Sequence, residues 1–164
     1  PLVVMSPKSL LRHPGCVSEL SSLADGRFMT VIPDSDIEPQ KTRRVLLCSG
    51  KVYFDLVAER EKRGASDVAI VRMEQLYPVP KEALELALAP YPDAAEVYWV
   101  QEEPYNMGAW ASLRMRLGGL LANRFRFRSV ARPESASPAT GSGASHKFEQ
   151  AQLMDQAFFV ASDN

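Results

Sequence analysis

The chain is poor in the residues from which metal centres and disulfide frameworks are built, with two cysteines and two histidines among 164 residues. Cys16 and Cys48 share no metal-like spacing, and Cys48 stands in an apolar run where a small buried thiol is ordinary. A disulfide scaffold is therefore not expected, and a reducing compartment is. His13 and His146 belong to no Cys/His/Asp cluster with ligand spacing, which argues against a zinc site. Charge of one sign is lacking too: 19 Lys+Arg against 20 Asp+Glu leave a formal charge of −1. No global field favours nucleic acid or an anionic membrane. No run reaches the roughly 20 apolar residues that span a bilayer, and the N-terminus has no charged-then-apolar signal pattern. A soluble protein is expected, with neither nucleic acid nor membrane as partner.

What is present is an alternation. From residue 42 onward, short apolar β-favouring runs alternate with amphipathic stretches, the pattern of a parallel sheet built from strand-helix-strand units. Strands are predicted at Arg44 to Cys48, Val68 to Arg72, Val97 to Val100 and Arg126 to Val130. The first is followed by a helix with Tyr53, Leu56, Val57 and Arg60 on one face, which Gly64 stops. The second leads through Tyr77-Pro78-Val79-Pro80 to a short helix, Lys81 to Leu88, closed by Pro90 and Pro92. After the third, a helix carries Met107, Trp110, Leu117 and Leu121, with Asn106 as its cap. A last helix, His146 to Phe158, would turn Phe148, Ala151, Met154 and Phe158 inward. The expected fold class is α/β, a three-layer, mainly parallel sheet flanked by helices.

Residues 1–41 read differently. Pro1-Leu2-Val3-Val4-Met5 is strand-like with no earlier element to pair with, and Pro33 to Lys41 is a polar connector. The expectation is the tail of a longer polypeptide, with an inter-domain crossing ahead of the α/β domain. Between the last strand and helix, Ser135 to Ser145 is a loop of small, turn-forming residues.

Three stretches carry charge where chemistry is possible. Ser49-Gly50-Lys51 follows the first strand and opens a helix, a place where phosphate can meet backbone N–H groups and a lysine. It lacks the earlier glycine and the following hydroxyl of a phosphate loop, so a glycine needed for a tight turn is the favoured reading. Glu102 and Glu103 follow the third strand, at the end where open α/β sheets bind ligands. Adjacent strand positions point to opposite faces, and no nucleophile accompanies them. A structural or interface role is favoured over a paired acid and base. In Arg124-Phe125-Arg126-Phe127-Arg128 the phenylalanines take one face and the arginines the other. That ribbon is either a contact for phosphate or an acidic partner, or a sheet edge guarded by charge. The serines of the loop form no G-x-S-x-G elbow.

Four stretches together resemble a known family: Pro1 to Pro14, Glu74-Gln75-Leu76-Tyr77-Pro78, Gln101 to Trp110, and Ser135 to Gly141. They are similar to the C-terminal region of the decarboxylating component of 2-oxoglutarate dehydrogenase. The resemblance implies a transketolase C-terminal-domain-like fold for residues 42–164, and for residues 1–41 the end of a preceding pyrimidine-type domain plus a connector. For the whole enzyme it implies oxidative decarboxylation of 2-oxoglutarate, with transfer of the succinyl group to lipoyl arms in the citric acid cycle. Thiamine diphosphate and Mg²⁺ would be bound by a Gly-Asp-Gly motif that this chain lacks, so no cofactor and no catalytic residue are expected here. The implied partners are the preceding catalytic domains, a homodimer partner and the dihydrolipoyl succinyltransferase. The location would be the cytoplasm in bacteria and the mitochondrial matrix in eukaryotes. Some members of the family respond to acetyl-CoA or nucleotides, which makes Ser49, Gly50, Lys51, Arg126 and Arg128 candidate phosphate contacts. Glu102, Glu103, Asn106 and Trp110 are candidate interface residues. The rival reading is a freestanding nucleotide- or CoA-binding regulatory module. A tail from a pyruvate or branched-chain 2-oxoacid dehydrogenase is disfavoured by the combination of Gln101 to Trp110 with Ser137-Pro138-Ala139-Thr140-Gly141.

Overall fold

A computed structural model describes residues 1 and 3–159. The strands are β1 (Val31–Ile32), β2 (Arg44–Cys48), β3 (Val68–Met73), β4 (Glu96–Pro104) and β5 (Arg126–Arg132). The α-helices are α1 (Leu20–Ala24), α2 (Val52–Arg63), α3 (Lys81–Leu88), α4 (Trp110–Leu121) and α5 (Gly143–Phe158). β2 is buried along its whole length because apolar side chains leave both of its faces, as a central parallel strand requires. Val45 and Leu47 meet Leu84 and Leu88 of α3 and Leu113 and Leu117 of α4 in one cluster. Leu46 and Cys48 meet Leu56 of α2 with Leu153, Met154 and Ala157 of α5 in another. These are the three layers expected.

The sheet order is β1-β3-β2-β4-β5. β2, β3, β4 and β5 run parallel, and β1 pairs antiparallel to β3. The chain steps from β2 out to β3 and returns past it to β4. The crossover reverses at the β2/β4 boundary, which opens a crevice at their carboxyl ends.

Local signals placed several boundaries well. Gly64 ends α2 at φ 61°, its N–H bonded to the carbonyls of Arg60 and Glu61. Elsewhere tertiary contacts overrode them. β1 lies just ahead of the Pro33 to Lys41 connector, where no strand was expected, and Pro1 and Val3–Met5 form no strand, Leu2 being outside the described residues. β4 continues past Val100 through Glu102 and Glu103, with a register shift between Val100 and Pro104. α4 starts at Trp110, so Asn106 is not its cap. Phe148 is 65 % exposed and Ala151 is exposed as well. At 100° per residue Phe148 and Met154 stand about 120° apart around the helix, and the inward face of α5 is instead Leu153, Met154, Ala157 and Phe158.

The segment ahead of β2 is tied to the sheet. Asp34 forms a buried ion pair with Arg60 of α2, and its Oδ2 accepts the Ile70 N–H of β3 at 2.6 Å. The carboxylate thus satisfies the β3 edge just beyond the last pair of β1. The arm at the N-terminus touches the same body, with the His13 ring 4.9 Å from that of Phe54.

Candidate functional site

The carboxyl end of the sheet is organised by one buried amide. Gln101 is 3 % exposed. Its Oε1 accepts from Trp99 Nε1 at 2.9 Å and from the Trp110 N–H at 3.0 Å. Its Nε2 donates to the carbonyls of Pro104 at 3.1 Å and Met107 at 2.7 Å. One side chain therefore closes the turn between β4 and α4 and satisfies the first N–H of α4, the work expected of Asn106. Gly108, at φ 69°, completes the turn, because a Cβ there would stand 2.9 Å from the Gln101 amide. Sequence reasoning passed over Gln101; the available signal was an amide inside an apolar strand with a glycine seven positions on.

Beside this turn, the crevice holds a cleft of about 590 Å³ bordered by Ser49, Gly50, Lys51, Glu102, Glu103 and Gly108. Gly50 turns the chain at φ 71° with open space about its α-carbon, in line with the tight-turn reading. Lys51 is not a free cation. Its Nζ stands 2.6 Å from Glu102 Oε1 and 3.3 Å from Asp55 Oδ2. Burial disfavours the ammonium, but the hydrogen bond to Glu102 and the charges of Glu102 and Asp55 outweigh it, and the Lys51 pKa lies above the ordinary lysine value. Glu102 is thereby committed as a counter-ion, while Glu103 is exposed. The register shift relaxes strict alternation, so both glutamates border the same cleft. As an acid/base pair they lack a nucleophile, and Glu102 Oε1 is occupied by the Lys51 ammonium at 2.6 Å.

The remaining expected residues divide clearly. Asn106 makes a two-way amide clasp with Ser135, donating to its carbonyl at 3.0 Å and accepting its N–H at 3.2 Å. Trp110 is a core residue at 5 % exposure, with its ring 5.2 Å from that of Phe127, so it is not available to an interface. Phe125 and Phe127 do face inward. Arg126 is exposed, and Arg128 is 4.0 Å from Glu96. Arg124 is structural, donating to the carbonyls of Leu88, Ala89 and Tyr91 past the end of α3. Arg44, buried at the other end of the sheet, does the same for α5 through the carbonyls of Gln156 and Ala157, with Glu96 as its counter-ion at 2.8 Å. Among the described residues, no group of three or more His, Cys, Asp or Glu could hold a metal ion. No described helix is long and apolar enough to cross a membrane.

Comparison with known proteins follows the same outline. The profile of a family described as 2-oxoglutarate dehydrogenase C-terminal matches residues 17–158. A "2-oxoglutarate dehydrogenase E1 component" from Cupriavidus necator is 47% identical over 159 residues, 96% of this chain and 17% of that protein. Its namesake in Haemophilus influenzae is 45% identical over 158 residues, 96% and 17%. A "Multifunctional 2-oxoglutarate metabolism enzyme" of Mycobacterium sp. (strain KMS) is 40% identical over 164 residues, 96% and 13%. The chain thus spans about a sixth or less of the length of these relatives, none of which is named as a freestanding regulatory module.

Proposed function

The chain belongs to the 2-oxoglutarate dehydrogenase C-terminal family, and on that footing we propose that it serves as the C-terminal domain of a 2-oxoglutarate-decarboxylating enzyme. The observation that carries this reading is the match of nearly the whole chain, at 47% identity, to one part of a protein named for that component. The whole enzyme would decarboxylate 2-oxoglutarate on thiamine diphosphate with Mg²⁺ and pass the succinyl group to the lipoyl arm of a dihydrolipoyl succinyltransferase. In a bacterial cell it would stand in the cytoplasm. No group of three or more His, Cys, Asp or Glu among the described residues could hold the cation, and in this reading the cofactor is bound by the preceding domains.

The work of this domain is support. Residues 1–41 are assigned to the end of a preceding pyrimidine-type domain and a connector, and residues 42–164 to the transketolase-like C-terminal domain. Met5, Val17, Leu20, Leu23 and Phe28 are each more than 70 % exposed, a run of apolar surface that the preceding catalytic domains would cover. Glu103, whose carboxylate is exposed, is assigned to an interface with those domains or with a homodimer partner. Arg126 and Arg128 are the better of the candidate phosphate contacts, since the Lys51 charge beside Ser49 and Gly50 is already countered.

The test uses the full-length polypeptide with thiamine diphosphate, Mg²⁺ and 2-oxoglutarate. Carbon dioxide release is expected, together with a dimer that dissociates to monomers when residues 42–164 are deleted. A full gene product without 2-oxoglutarate decarboxylation would sink the reading.

A further inference from the structure

The outer sides of α3 and α4 set opposite charges side by side. Leu84 and Leu88 of α3 and Leu113 and Leu117 of α4 close over one side of β2, so both helices belong to one layer. The Arg116 guanidinium of α4 lies 5.5 Å from the centre of the Tyr77 ring, ahead of α3, and Arg124, past α4, donates to the Leu88 carbonyl at 3.3 Å. The two outer sides are therefore neighbours.

What they expose is unspent. Leu86 of α3 is 76 % exposed and Met115 of α4 81 %. Arg114 and Arg116 project from a helix with no acidic residue, while Glu82 and Glu85 are exposed on α3, where Lys81 offsets one of them. Among the described residues none of the two arginines and two glutamates takes part in an ion pair. Gly119 is exposed in α4 as well, and a Cβ there would meet nothing within 4 Å. No neighbour within the chain requires a glycine at that place, the least favourable helix-interior residue after proline, whereas a second backbone approaching from outside would.

We propose that this face is an interface between two copies of the chain, with α3 of each lying over α4 of the other about a two-fold axis. Glu82 and Glu85 then meet Arg114 and Arg116 of the partner subunit, twice over, and the exposed Leu86 and Met115 side chains leave water. A surface that carries both signs in this arrangement is complementary to itself. The interface deepens the homodimer assigned above and rests on that reading, naming the surface the dimer uses. The N-terminal arm, by which the preceding domains would join, meets the opposite layer, with His13 against Phe54 of α2. That leaves the side of α3 and α4 for a second copy.

The test is sedimentation equilibrium of the full-length polypeptide. Arg114→Glu with Arg116→Glu, and separately Glu82→Arg with Glu85→Arg, should each raise the dimer Kd by about tenfold or more, since like charges then oppose across the interface. The quadruple variant restores opposite pairs and should bring Kd back to within severalfold of the unaltered protein. Circular dichroism should be the same for all four proteins, because these side chains are exposed. A monomeric unaltered polypeptide, a dimer untouched by either swap, or a quadruple variant no tighter than the double variants overturns the interface. A swap that lowers the melting temperature while the dimer persists assigns the face to the preceding domains and overturns it too. Carbon dioxide release by the unaltered polypeptide is measured in parallel, so failure of the enzymatic reading and failure of this interface are told apart.

Discussion

The amide of Gln101 lies where a side chain on Gly108 would have to be: a Cβ at Gly108 would stand 2.9 Å from both Gln101 Nε2 and Oε1. The two residues specify each other. Gly108→Ala should cost about 1–3 kcal/mol from left-handed backbone strain alone, and more from displacing Gln101. Gln101→Leu strands the Trp99 and Trp110 N–H groups and should cost about 2–5 kcal/mol. The double variant should be clearly less destabilised than the sum, because both break the same turn. Denaturant unfolding of the four proteins reads this directly, and strict additivity would refute it.

The Asp34–Arg60 pair is buried on both sides, at 3 % and 8 % side-chain exposure. Asp34→Asn leaves the guanidinium with only the exposed Asp36 carboxylate, at 2.9 Å. A loss of about 3–5 kcal/mol is expected. Arg60→Met with Asp34→Asn should recover part of it. Amide exchange at Ile70, whose N–H Asp34 accepts, should quicken in every Asp34 variant and stay slow in Arg60→Met alone.

Asn106→Ala removes both bonds to Ser135. At an exposed site this should cost only about 1 kcal/mol, so melting is a poor readout. Hydrogen exchange is the sensitive one: faster exchange at Ser135 and through the following loop, with the β4 amides unchanged. Protection spread evenly over the whole domain would contradict a local clasp.

Burial pushes the Cys48 thiol from an ordinary 9.0 up to about 12, with the Arg72 charge working against it. A folded value above the unfolded one means stability present below pH 9 and lost as pH rises toward 12. Lys51, raised by its carboxylate partners, acts in the same sense at still higher pH than an ordinary lysine. Alkylation near pH 8 should label the exposed Cys16 in the native protein and reach Cys48 only after unfolding. Peptide mass mapping distinguishes the two sites.

The elements that could be read in advance are those specified by neighbours in the chain. The apolar run of β2, Gly64 closing α2 and prolines flanking α3 act over a few residues, and the structure has them where local chemistry puts them. The ribbon at β5 was legible in its pleat, with Phe125 and Phe127 inward. Phe148 was misplaced because a three-residue step drifts around a helix, and only the sheet beneath decides which stripe is covered. β1 was missed because two residues have no periodicity, and its pairing partner lies about forty positions away.

By itself, the amino-acid order determined the layered parallel fold and the family, since both rest on periodicity and on short motifs kept at fixed spacing. Only the tertiary structure decided which polar groups are spent and which are free. Gln101 is consumed by its own turn, Lys51 by Glu102, and Asn106 by Ser135, while Arg132 keeps part of its guanidinium unused. Hydrogen bonds and ion pairs are made across space by groups distant in the chain, and their worth depends on burial, which no local pattern encodes.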